Sequence, residues 1–268
     1  MEKRLILRGL LAGAVGAVLA FIFARLCAEP AIGRAIAFEN GRTEAENAQG
    51  VHEHGAELFS RSVQSNAGLG FGLLAFGVAM GALFAVAFCL IYGRTGDSAR
   101  DVAARPFSLR LAAAAFVTVY LVPFVKYPPN PPAVGQSDTV GARTGWYLVA
   151  VLGSVVLAVV AVSLARRLAA LFGGLWNAGL LAAGSYVALI TVILVLLPTL
   201  HETPEPLRNA SGAIVYPGFP ADVLYEFRLV ALATQLVLWG SIGLVFATLA
   251  GRLLDGRAQS GRASSIAA

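Results

Sequence analysis

Six long, nearly uncharged apolar runs alternate with polar segments along the chain, near residues 5–27, 67–92, 107–125, 146–165, 174–198 and 229–250. A helix needs about 20 apolar residues to cross the hydrocarbon core of a bilayer, and these runs approach or exceed that length. The third is the shortest. Fifteen residues separate Arg110 from Lys126, and a full crossing must also take in Pro106 to Leu109. The pattern predicts an all-α integral membrane protein with six transmembrane helices. It forms one polytopic domain over 1–252, followed by a disordered tail at 253–268 rich in Ser, Ala, Gly and Arg. The first run follows Lys3 and Arg4 as a secretory signal would. It also carries Arg8 and Arg25 and ends without a small-x-small cleavage site, so it reads as an uncleaved first helix. Glycines recur inside the first two runs, among them Gly9 and Gly13, and Gly77 and Gly81. Small residues four apart let helix backbones approach closely in lipid, so these positions predict tight helix packing.

Composition excludes a soluble globule. Charged residues make up 13% of the chain, about half the usual share in soluble domains. The charges are also sorted by side. If all six runs cross, one face holds the N-terminus, the second and fourth connections and the tail. That face has twelve basic and four acidic residues, and the other has eight basic and eleven acidic. The positive-inside rule makes the first face cytoplasmic, with both termini inside. Omitting the third run would mix the two sets, which supports keeping it. The net charge of +5 then reflects arginines facing anionic headgroups and gives no indication of nucleic-acid binding. Cys27 and Cys89 fall at opposite faces, so no disulfide between them is expected.

Candidate chemistry gathers on the external face, at 28–66, 126–145 and 198–228, where all three histidines lie. His54, Glu57, Arg61 and Gln64 fall at helical spacing ahead of the second span, as a polar strip or simply a solvated face with a Glu57–Arg61 pair. His201 and Glu202 follow Pro198 at the end of the fifth span. Imidazole beside carboxylate is a donor set that suits Co²⁺, Ni²⁺ or Zn²⁺ better than Mg²⁺. Asp222 and Glu226 stand four apart after Pro220, where acids also complement a helix N-terminus. Gln235 lies within the sixth span, as helix glue or as the lining of a path. Lys126, one of two lysines, sits where the third span meets a proline-rich loop and can snorkel to the interface. Nine of the twelve prolines fall within 128–220, so the loops there are stiff. Enzyme and nucleotide signatures are missing: no P-loop, His-Glu-x-x-His, Gly-x-Ser-x-Gly or Cys-x-x-Cys occurs, and the spans carry no acid. A non-enzyme is expected, without a proton relay at mid-membrane.

Three segments carry a family resemblance: Lys126-Tyr-Pro-Pro-Asn-Pro-Pro-Ala-Val-Gly135, His201-Glu-Thr-Pro204, and Gly218-Phe-Pro-Ala-Asp-Val-Leu-Tyr-Glu-Phe-Arg228, with Arg61-Ser-Val-Gln64 before a Gly-rich span. Together they resemble the CbtA family of predicted cobalt transporter subunits, over nearly the whole chain. The resemblance implies cobalt uptake across a prokaryotic cell membrane, with a small His-rich single-span partner of the CbtB kind. The family is usually described with five spans, whereas the charge distribution here gives six. The expectation is that His54, Glu57 and His201 capture the ion and Glu202, Asp222 or Glu226 add oxygen donors. The loop containing Asn130 would act as lid or scaffold, and Arg61 and Arg228 would orient the carboxylates. Two other classes remain open: a non-transporting assembly subunit, and a membrane enzyme acting on a lipid or anion beside Arg61 and Arg228.

Overall fold

The computed structural model describes residues 2–51, 63–93, 103–135 and 138–266. In chain order its elements begin with helices α1 (Glu2–Cys27), α2 (Glu29–Ala48) and α3 (Leu69–Gly93), the last preceded by a π-helical turn at Gln64–Gly68. Next come α4 (Ala104–Ala115), a second π turn (Phe116–Leu121) and α5 (Val122–Lys126), which run together, then α6 (Val140–Leu168) and α7 (Leu175–Leu196). A short hairpin, β1 (Leu207–Arg208) with β2 (Ile214–Tyr216), leads into the last helix, α8 (Ala221–Ile266). Among the described residues, six helical segments are long and apolar enough to cross a membrane: Glu2–Cys27, Asn66–Tyr92, Ala104–Lys126, Val140–Leu168, Leu175–Leu196 and Ala221–Leu254. They coincide with the six runs read from the sequence, including the short third one. The protein is an all-α multi-pass membrane protein.

One element departs from the sequence reading. Residues 29–48, expected as loop, form α2. Pro30 suits the first turn of a helix. Ala31, Ala35 and Phe38 recur at the spacing of one helix face and are buried, and Arg42 pairs with Glu46 one turn on. After Leu253, α8 continues to Ile266; elongating an existing helix requires no new nucleus, which offsets the poor helix propensity of Gly256 and Gly261.

The chain divides into two compact units: Met1–Pro30, His54–Phe116 and Leu229–Ala268 form one, and Ala31–Glu53 with Val117–Arg228 form the other. In the first, α1 packs on α3 through glycines. A Cβ at Gly13 would lie 2.8 Å from the carbonyl carbon of Gly77 and 3.1 Å from Cα of Gly81, so only glycine fits this crossing. Phe246 of α8 meets Phe84 and Phe88 of α3 edge-on, both at 5.1 Å between ring centroids. Arg8 donates to the Leu249 carbonyl at 2.8 Å.

In the second unit, α6 and α7 meet through Ala165, Ala178 and Ala182, and Ser154 hydrogen-bonds Tyr186 at 2.6 Å. Most of their remaining apolar side chains point outward, with Val195 74% and Leu196 78% exposed, as lipid contact requires. Pro123 has no N–H for the Val119 carbonyl four residues earlier. That carbonyl accepts instead from the Tyr147 hydroxyl of α6 at 3.2 Å. Phe38 of α2 packs with Val134, Phe219 and Val223, its ring 4.9 Å from Phe219 and 5.3 Å from Tyr216. The proline-rich loop, the hairpin segment and α2 are thus welded into one structured cap on the helix ends.

Candidate functional site

Glu202 is the hub of this cap. Its side chain is 3% exposed and pairs with the Arg143 guanidinium of α6. Asn130 Nδ2 donates to Oε2 at 2.8 Å and Thr139 Oγ1 donates to Oε1 at 2.7 Å. The second guanidinium nitrogen of Arg143 donates to the Pro128 carbonyl, and the Gly135 amide donates to the Glu202 carbonyl at 3.2 Å. A carboxylate withdrawn from water is tolerated only when charge and lone pairs are both answered. Here two segments answer them, the proline-rich loop through Asn130 and the start of α6 through Thr139 and Arg143, and so hold the stretch after α7 that carries Glu202. Tyr127 adds a fourth tie, donating its hydroxyl to the Pro198 carbonyl at 2.7 Å. Burial pushes the Tyr127 phenol above its ordinary pKa, which keeps it a donor.

Beside this clasp, Asn130 Oδ1 accepts from Arg228 of α8 at 3.1 Å. The Arg228 Nε is buried and makes no hydrogen bond. Lys126 donates to the Thr199 hydroxyl at 3.0 Å. Lys126, Asn130, Arg143, Glu202 and Arg228 line a small pocket of about 50 Å³ together with Tyr127 and Pro128. Three cations therefore face one carboxylate, which is itself committed to Arg143.

The structure describes His201, Glu202, Asp222 and Glu226 of the expected ligands. His201 and Asp222 are exposed. Glu226 pairs with Arg34 of α2, both about half exposed. Glu202, expected to add an oxygen donor, is held in the clasp, and freeing it would strand Arg143. Arg228 donates to Asn130, which in turn donates to Glu202. Among the described residues, no group of three or more His, Cys, Asp and Glu lies close enough to hold a metal ion. His54, Glu57 and Arg61 lie outside the described residues, and Gln64 opens the π turn before α3. Gln235, inside the last span, keeps a buried Oε1 without a hydrogen bond.

Arg143, Thr139 and Arg34 were not singled out by sequence. Arg143 could have been. It stands at the start of an apolar span on the face where the charge rule disfavours basic residues, a position that calls for an acidic partner.

Compared with known families, residues 2–251 match the family described as CbtA, probable cobalt transporter subunit. No curated protein and no solved structure matches the chain.

Proposed function

Since the chain belongs to the CbtA family of probable cobalt transporter subunits, we propose that it admits Co²⁺, or the related Ni²⁺ or Zn²⁺, into a prokaryotic cell from its outer face. The fold, six helices able to span a bilayer, suits a membrane transport subunit. His201 is the observation that supports the capture site. It is exposed, yet it directly precedes the most firmly anchored residue of the cap, so its imidazole is presented from a rigid base. His54, Glu57 and Asp222 are the remaining first ligands in this reading, while Glu202 and Glu226 hold the frame. Exchange of first-row divalent metals at imidazole and carboxylate is consistent with a transient capture step. No residue in this scheme performs covalent chemistry, in keeping with a non-enzyme. A subunit also implies a complement, for which a small His-rich single-span protein of the CbtB kind is the proposed partner.

The test is radioactive cobalt uptake by cells whose own copy has been deleted and replaced with variants. His54→Ala plus His201→Ala is expected to reduce uptake at limiting cobalt by about tenfold, the scale of one lost metal-ligand interaction or its support. Unchanged uptake would remove the capture site. An assembly role is the second reading, favoured by the amount of cap structure devoted to loop anchoring. Purified chain in liposomes that transports cobalt unaided would exclude it.

A further inference from the structure

The pocket beside Glu202 has the wrong charge for a free metal ion. Its lining holds Lys126, Arg143 and Arg228 against the single acid Glu202. Glu202 already neutralises Arg143, and Lys126 and Arg228 are hydrogen-bonded by the neutral partners Thr199 and Asn130. The buried Arg228 Nε keeps an unused donor. Guanidinium and ammonium donors converging in this way are matched by an oxyanion. About 50 Å³ has room for a few waters, or one small oxyanionic group.

Arg143 and Tyr127 also line a second, larger groove of about 300 Å³. Its other walls are apolar or aromatic, chiefly Tyr120, Phe124, Tyr147 and Leu148. The two cavities are ordered along the helices. Tyr120 lies six residues before Lys126 and Leu148 five after Arg143, which at helical rise is roughly 8 Å toward the membrane centre. Lys126 ends its span and Arg143 is the fourth residue of its own, whereas Tyr120 and Leu148 lie deeper in the same two spans; charged residues at such positions suit headgroups and the deeper apolar ones suit acyl chains. A charged recess opening beside an apolar groove fits an amphiphile with an anionic head.

We propose that this is a binding site for an anionic phospholipid, with its phosphate held by Arg228, Lys126 and the edge of Arg143 and one acyl chain laid along Tyr120, Phe124, Tyr147 and Leu148. Net charge selects the lipid class: with Arg143 neutralised by Glu202, a zwitterionic head still brings its own cation against Lys126 and Arg228. The site would fasten the cap to the membrane surface through the same residues that surround Glu202.

The experiment uses the full chain, purified in neutral detergent and stripped of lipid. Binding is read by native mass spectrometry and by thermal unfolding, with added phosphatidylglycerol, phosphatidylcholine or inorganic phosphate. Phosphatidylglycerol is expected to bind and raise the unfolding midpoint, with phosphatidylcholine and phosphate having little effect. Arg228→Gln should weaken phosphatidylglycerol binding by about tenfold, the effect of one lost charge-assisted donor. Leu148→Trp, which fills the groove and leaves all three cations in the sequence, should weaken it as well, and it serves if Arg228→Gln does not fold. Equal binding of phosphatidylcholine overturns the proposal. So does equal protection by phosphate alone, which assigns the pocket to a free oxyanion, or phosphatidylglycerol binding that neither variant weakens.

Discussion

Replacing Glu202 with alanine tests the clasp at its most buried point. The change removes one partner of the Arg143 ion pair and the acceptor for Asn130 and Thr139. Breaking a buried pair from one side generally costs about 3–5 kcal/mol, because the surviving charge is left uncompensated. Arg143 is 22% exposed, so water recovers part of that loss and the lower end, about 3 kcal/mol, is expected. For a protein of this size each kcal/mol moves the unfolding midpoint by roughly 2–4 °C, which gives a fall of about 6–12 °C. Glu202→Gln keeps the shape and one oxygen acceptor but loses the charge, and should fall between alanine and wild type. Thermal unfolding in detergent, followed by circular dichroism, measures all of these. Arg143→Met should be at least as harmful, since it leaves a carboxylate buried alone. The double variant removes both charges together, so it should be less destabilised than the sum of the single changes by about 2 kcal/mol. If Glu202→Ala lay within about 0.5 kcal/mol of wild type, or if the two changes were additive, the clasp would not be what holds the cap.

Other perturbations separate this account from a generic one. Glu226→Ala breaks a pair that is about half exposed on both sides, so it should cost less than about 1 kcal/mol in the same unfolding assay. Gly13→Leu should destabilise by about 1–3 kcal/mol through overpacking against Gly77 and Gly81, whereas Gly33→Ala, which meets nothing within 4 Å, should be neutral or slightly stabilising in the same measurement. Tyr127 has a folded pKa raised by burial above the ordinary phenol value of 10, so the folded state holds its proton more tightly than the unfolded chain. Its contribution is therefore complete below pH 10 and is lost as pH rises through the folded pKa. Tyr127→Phe should flatten that alkaline loss in a series of unfolding midpoints.

The spans were legible because a bilayer imposes a length and polarity that no other solvent does, and even the fifteen-residue stretch before Lys126 was kept by the sorting of Arg94, Arg100, Arg105 and Arg110 to one face. Close packing at Gly13 was legible for a similar reason, since spacing alone identifies helix contacts in lipid. Helix α2 was written in the sequence by Pro30, Ala31, Ala35 and Phe38, but its polar composition obscured a face that packs on loops. The clasp was only half legible. Asn130 and Glu202 stood out by their motifs, yet their partner Arg143 lies 59 residues before Glu202, and sequence spacing says nothing about tertiary pairing at that distance. The same gap hid the ion pair of Glu202, because a carboxylate beside a histidine gives no sign of whether an arginine already holds it.

Cobalt accumulation in a deletion strain, with nickel and zinc as competitors, tests the central claim most directly. The account predicts that the wild-type chain, expressed with the proposed His-rich partner, restores radioactive cobalt uptake at limiting metal and that the His54→Ala, His201→Ala variant restores about a tenth of it. Uptake that is the same with and without the chain would contradict it.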